Sequence, residues 1–497
     1  MDNIIILKKE PKTILTKRGY AIVKKYFTKE IPRIKKELHV RAFISSDFGS
    51  KSTPFPIFLE SEKKLYIPKH YAFKEFGNPD LNKLSIGETI NLNFIGELRP
   101  KQIPIVNAYL NSCGEYDFVQ NSNGGIISVP CGWGKTIMAL NIISKLNKKT
   151  LIVVHKEFLL NQWKERIKEF LPDARVGLIQ AGTIDVENKD IVISMLQSVS
   201  KKKYANDVFS GFGLTIVDEC HHIGAEVFSR ALPKINSYYS LGLSATPNRK
   251  DGLSKVFKLF LGPIVYKINK SPDKLVDVNV INFRDIKNTA YNKHEITRYG
   301  KMCLPKMITN ISNNNNRNLL ITCIAKRLVN KGKQVIILSD RRMHLEDLYK
   351  KLESFCTVGY YKGGMKQKDL DKSESCKIIL GTYSMSAEGL DIPSLDAVIF
   401  TTPKSSIQQS IGRITRKKHK ELPIAYDIVD QFSMFPNQYK KREKIYKRFD
   451  YNISVGHFSV NPNNINEHDI GVFLDTGFTK VVDKKTHTKK KSCLINE

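Results

Sequence analysis

Residues able to act on a phosphate group recur along this chain in a fixed order. The first set lies in ISVPCGWGKTIMAL, Ile127 to Leu140. Its Gly134-Lys135-Thr136 tail matches the end of the pattern G-x-x-x-x-G-K-[ST]. In such a loop backbone N–H groups wrap the phosphates, the lysine reaches the β- and γ-phosphates, and the hydroxyl ligates Mg²⁺. Val129 stands where the leading glycine would be, though Pro130 and Gly132 can still shape the turn. The second set is LTIVDECHH, where Asp218 and Glu219 end an apolar run. An acid there can hold the metal, and its neighbour can orient or deprotonate an attacking water. His221 and His222 follow Cys220 with no further ligands close by, so no metal cluster is expected from them. The third, GLSATPNRKDG, offers the hydroxyls of Ser244 and Thr246 at another strand end. Later come YSMSAEGLDIP and QQSIGRITRK, the latter with Arg413 and Arg416 three positions apart. On a helix these would share one face, and arginines so placed can stabilise the charge of a phosphoryl-transfer transition state. A solvated basic helix is the plainer reading of that pair.

These side chains need rigid carriers. From about 98 to 270, apolar runs (GGIISV, TLIVVH, DIVISM, LTIVDE, SLGLSA) alternate with amphipathic helices such as KTIMALNIISKL. Near-continuous β-branched runs fit a parallel sheet buried on both faces. The polar or small residues that end each run would lie at the carboxyl edge, where open α/β sheets bind ligands. A second series follows, through KQVIILSD, TVGYY, CKIILGT, LDAVIFTT and IAYDIV. Between the two, NISNNNNRN reads as a turn and a helix start. Residues 1–97 mix short strand-like runs with a helical EIPRIKKEL and suggest a small α+β accessory domain. From about 451 the chain is less patterned and ends in the basic KKTHTKKKS, expected as a tail.

Composition narrows the partners. The 497 residues carry a formal charge of +31, which favours a polyanionic partner, nucleic acid first. Eight scattered cysteines without a C-x-x-C pair argue against a zinc ribbon and a disulfide framework. No apolar run of membrane-spanning length and no signal peptide is evident, so an intracellular protein without membrane association is expected.

In order, LRPKQ, PCGWGKT, VVHKEFLLNQW, ISMLQS, DECH, SATP, GTYSMSAEGLDIP and QQSIGRITR make residues 98–430 resemble a superfamily 2 helicase. LGLSATPNRKDG is similar to the DNA-translocating branch of the Rad25 type. KRGYAIVKKYF, PFPIFLE and the overall length resemble the transcript-release helicases of poxviruses and other large cytoplasmic DNA viruses. The box reads Asp-Glu-Cys-His rather than Asp-Glu-Ala-Asp, which argues against the RNA-unwinding subgroup with the latter box.

The resemblance implies an α/β fold of two tandem RecA-like parallel-sheet domains with a small α+β N-terminal accessory domain. Its boundaries would be 1–97 accessory, 98–270 ATP-binding, 271–450 C-terminal helicase domain and 451–497 basic tail. Arg99 and Gln102 would contact the adenine side. Pro130, Cys131, Gly132, Trp133, Gly134, Lys135 and Thr136 would form the nucleotide loop, with Thr136 and Asp218 on Mg²⁺ and Glu219 as catalytic base. Gly389 and Asp391 would sense nucleotide and strand, while Gln409, Arg413 and Arg416 match the arginine-finger motif. HKEFLLNQW, Gln197 and Ser198 match segments that touch the nucleic-acid backbone. The implied activity is a DNA-stimulated, 3′–5′ ATPase and helicase in viral transcription. It would act as a monomer at cytoplasmic replication sites and be packaged in virions, on DNA, an RNA–DNA hybrid or a nascent transcript, with RNA polymerase as partner. The alternatives are a repair or recombination helicase of the same fold and a non-hydrolysing binding protein. A small-molecule kinase would leave the arginine motif unexplained.

Overall fold

The computed structural model describes residues 10–41, 53–114, 117–130, 132–205, 207–220, 225–245, 253–268, 276–388, 392, 394–405, 407–415, 421–460 and 465–481. The chain divides into two compact units, Met1–Ile268 and Asn269–Glu497.

The first unit holds an eight-stranded sheet ordered Thr183–Asp185, Val176–Gln180, Ile191–Met195, Thr150–Val154, Leu214–Val217, Tyr239–Ser244, Gly124–Ser128 and Ile264–Lys267. All neighbours are parallel except the first pair. The five central runs that read as buried strands are strands, and nearly every side chain in them is buried. A second sheet of five short strands is formed by residues 13–82. The boundary expected at residue 97 separates two sheets but not two cores, because Leu15, Tyr20 and Ile67 join Ile126, Leu151 and Leu241 in one apolar cluster. Polar bonds reinforce the joint. The enclosed Lys69 ammonium donates to the carbonyls of Ser237 and Tyr238 at 2.8 and 3.1 Å, and Asn236 Nδ2 donates to Thr16 O. Burial pulls the Lys69 ammonium down to about 7.

The second unit has its own eight-stranded sheet, ordered Val358–Tyr361, Ile378–Thr382, Gln334–Ser339, Leu395–Phe400, Ile424–Asp430, Asp277–Asp285, Asn452–Val460 and Phe478–Lys480. It is parallel except for the last strand. Side chains alternate between its faces as a pleated strand requires: Val335 and Ile337 enter one apolar cluster, Ile336 and Leu338 the other. The tail expected from 451 is corrected here. Residues 452–460 pair along their whole length with 277–285, and Glu467–Thr476 packs a helix beside them. Paired backbone is worth more to this segment than its modest apolar content suggested. The KKTHTKKKS stretch lies outside the described residues.

Candidate active site

The described residues of the degenerate loop take conformations that suit a tight turn into a helix. Val129 is fully buried and its N–H donates to Ser244 O at 3.1 Å, so a side chain there fills the core instead of obstructing the turn. Gly132 and Gly134 take φ of 81° and 75°, the left-handed region that glycine enters without Cβ strain. A Cβ on Gly134 would also lie 2.4 Å from Gln102 Nε2. The helix Lys135–Leu146 begins directly after Gly134 with no side-chain cap. Its first N–H groups have no partner within the helix, and the positive end of the helix dipole favours an anion.

The acid pair comes from the strand two places away, and the strand between them, Tyr239–Ser244, ties the motifs together. Ser244 O accepts from Val129 N, and Leu243 O accepts from Cys220 N at 3.1 Å. Lys135 Nζ stands 3.5 Å from Glu219 Oε1, with both side chains largely enclosed. Glu219 has φ 45°, a left-handed conformation that costs a non-glycine residue on the order of 1 kcal/mol and clusters at functional sites. Asp218 is buried; its Oδ2 accepts from Trp163 Nε1 at 2.9 Å and its Oδ1 from Glu219 N at 2.9 Å. Burial and then the Glu219 carboxylate push the Asp218 carboxyl up, against the Trp163 hydrogen bond and the Lys135 ammonium. A desolvated carboxylate and a hydroxyl one residue beyond Lys135 are hard-oxygen donors of the kind Mg²⁺ takes. Thr136 and Asp218 therefore fit that ion.

Three residues acquire a role the sequence did not supply. Cys220 is buried and its Sγ would lie 3.6 Å from a Cβ on Gly242, so it fills the core beneath the site. Trp133 is held at both ends: its carbonyl accepts from Gln102 Nε2 at 2.8 Å, and Lys101 Nζ sits 4.3 Å from its ring centroid. Gln102 Oε1 also accepts from Arg99 N at 2.8 Å. The LRPKQ segment thus braces the phosphate loop. Trp163 stood within a segment expected on the nucleic-acid backbone, yet its ring turns inward to Asp218. The signal was present: Leu159, Leu160, Trp163 and Ile167 form the buried stripe of the helix Glu157–Phe170, and a buried indole N–H needs an acceptor. Of the other strand-contact candidates, Gln197 Nε2 donates to His155 O at 2.8 Å, and Ser198 Oγ accepts from Ala181 N at 3.0 Å. The first contact joins the two segments at the carboxyl edge of adjacent strands, and the second ties Ser198 to the end of the strand Val176–Gln180.

In the second unit Arg413 is buried and donates through Nε to Ser386 O at 2.9 Å, linking the QQSIGRITR helix to the YSMSAE helix. Gln409 is half-buried on the same helix. The helix ends at Ile414 with Thr415 as its C-cap, and Thr415 Oγ1 donates back to Gly412 O at 3.3 Å. Arg413 thus lies on this helix, and the expectation that Arg416 shares its face concerns a residue outside the described ones. Cys131, His221, His222, Thr246, Gly389, Asp391 and Arg416 lie outside the described residues.

Comparison with known proteins finds helicase relatives. Residues 95–249 match the family "Type III restriction enzyme, res subunit", and residues 315–418 match "Helicase conserved C-terminal domain". A protein of Acanthamoeba polyphaga mimivirus, named "Putative ATP-dependent RNA helicase", is 36% identical over 90% of this chain and 88% of its own. "Putative helicase" of Invertebrate iridescent virus 6 is 29% identical over 84% and 95%. "Putative ATP-dependent RNA helicase" of African swine fever virus (isolate Pig/Kenya/KEN-50/1950) is 28% identical over 65% and 68%. The solved structure of S. cerevisiae Dbp5 bound to RNA and ADP BeF3 covers 76% of this chain and 98% of that one, with TM-score 0.50 and 13% identity, a likeness of fold.

Proposed function

We propose that this chain, which belongs to the superfamily 2 helicases and is related to helicases of large DNA viruses, uses ATP hydrolysis to move along DNA. The observation that carries the reading is the enclosed Lys135–Glu219 pair at 3.5 Å beside a Trp163-braced Asp218. Lys135 and the uncapped helix start hold the phosphates, and Glu219 takes the proton of the attacking water. Mg²⁺, held by Thr136 and Asp218, would neutralise charge on the phosphate oxygens. Arg99 and Gln102 serve the adenine side, and Gln409, Arg413 and Arg416 act on the transferring phosphoryl group. Gly389 and Asp391 sense nucleotide and strand.

The DNA preference rests on the Asp-Glu-Cys-His box and the GLSATPNRKDG stretch, and the charge of +31 supports binding to a phosphate backbone. The mimivirus and swine fever virus relatives carry RNA helicase names, so RNA is the competing substrate. Movement is 3′ to 5′, by a monomer, and serves transcript release from a viral RNA polymerase inside the infected cell. ATP hydrolysis measured with single-stranded DNA, duplex DNA and RNA decides the substrate: DNA is expected to stimulate strongly, and stimulation by RNA alone would overturn the DNA assignment. Release of RNA from a stalled elongation complex tests the task, and a protein that unwinds DNA but frees no transcript would be a repair helicase instead.

A further inference from the structure

The stretch between the two family-matched regions carries a built feature that neither covers. Glu295–Cys303 folds back on itself as a short finger. Cys303 N donates to Glu295 O at 2.7 Å, Thr297 N to Lys301 O at 2.7 Å, and Ile296 bridges Met302 between them. The turn Arg298-Tyr299-Gly300 is closed by Gly300 N on Thr297 O at 2.9 Å, with Gly300 at φ 72°. This is a three-residue hairpin loop with glycine at its left-handed position. Its base is fixed, since Glu295 Oε1 accepts from Asn310 Nδ2 at 3.2 Å and pairs with Lys293 at 3.1 Å.

What such a finger displays is unusual for a surface loop. Tyr299 at the tip is 73% exposed, Ile296 59% and Met302 37%. Arg298 lies 4.8 Å from the Tyr299 ring centroid. Arg298 and Lys301 flank Tyr299 in the turn, Lys293 and Lys306 lie near Glu295 at the base, and Glu295, the one acid of the finger, is already paired. An exposed aromatic ring backed by a guanidinium, on a finger with lysines in its turn and at its base, has the chemistry of a base-stacking contact, ring to base and cations to phosphates.

We propose that this finger binds nucleic acid by stacking Tyr299 on an unpaired base of the strand. The proposal rests on the reading of the chain as a nucleic-acid-driven ATPase, but its test does not depend on hydrolysis. Lys135→Ala protein is irradiated without ATP on a single-stranded oligonucleotide carrying 5-iododeoxyuridine, and the crosslinked peptide is sequenced. A crosslink to Tyr299 is expected, and its absence overturns the proposal even where DNA stimulates the wild-type ATPase. Tyr299→Ala is expected to weaken single-strand affinity about tenfold, with Tyr299→Trp restoring it and blunt-duplex affinity unchanged. An unaltered thermal midpoint confirms the fold of both variants. Equal loss on single strand and duplex, or wild-type binding by Tyr299→Ala, would overturn the stack. A crosslink in a protein whose ATPase ignores nucleic acid would keep the finger and remove the helicase reading.

Discussion

The two units build the same kind of parallel sheet and treat its carboxyl edge in opposite ways. In the first, the helix after the loop starts without a side-chain cap, and Lys135, Asp218 and Glu219 are gathered near its start. In the second, the helix Asn315–Asn330 is capped by Asn314, whose side chain accepts from Arg317 N at 2.8 Å. The acids there, Asp430 and Asp285 at strand ends and Asp427 within a strand, are consumed internally. Asp430 takes Arg317 Nε at 2.8 Å and Tyr291 OH at 2.8 Å, Asp285 takes Asn314 and Asn316, and Asp427 takes Arg442 and Tyr446. One edge keeps its charges close to ligand-binding geometry, whereas the other uses them to lock helices onto strands. The fold alone therefore does not make a candidate site; which polar groups gather at the sheet edge does.

Substitutions should break the two edges differently. Lys135→Ala is expected to lower ATP turnover by about 10²–10³ or more while the thermal midpoint holds. Turnover close to wild type would remove the first edge from the chemistry. Arg317→Ala leaves Asp430 charged and enclosed, and the second unit is expected to lose about 3–5 kcal/mol in denaturant unfolding. Replacing both partners with apolar residues of similar size should recover most of that loss. Trp163→Phe keeps the packing but drops the bond to Asp218, so half-saturation by Mg²⁺ is expected to rise about 10–100-fold. An unchanged Mg²⁺ titration would show that the indole only fills space.

The smallest effect belongs to acid. His344 is buried between Ser339 Oγ at 3.0 Å and Asn318 Oδ1 at 2.9 Å. Burial, then Arg317 and Lys351, pull its imidazole from 6.5 to about 3. The folded value lies below the unfolded one, so the unfolded chain binds the extra proton. Stability is complete above the unfolded value and drains as pH falls from 6.5 toward 3. At pH 5.5 the loss should be roughly 1 kcal/mol, and His344→Gln should flatten that dependence in unfolding curves.

Which parts were legible follows from what a local pattern can hold. GGIISV, TLIVVH and LTIVDE are buried on both faces, so composition alone marks them as strands. NISNNNNRN reads correctly as a helix start because an asparagine cap is a local event. Asp277–Asp285 and Asn452–Val460 pair with each other although Asn452 Nδ2 and Asp277 Oδ1, 2.8 Å apart, are distant in sequence. Each keeps partly exposed side chains and alternates with polar residues, so neither announces a place inside a sheet. At the site, Lys135, Asp218 and Glu219 are legible from motif order. The braces are not: the Trp163–Asp218 and Gln102–Trp133 bonds join segments that only the fold brings together.

The most direct test is Glu219→Gln, with ATP binding and hydrolysis measured on the same protein in saturating single-stranded DNA. The expected result is ATP affinity near wild type with turnover reduced by about 10³, since Lys135, Thr136 and the helix start remain while the carboxylate that takes the water's proton is lost. Hydrolysis persisting near the wild-type rate would contradict the account.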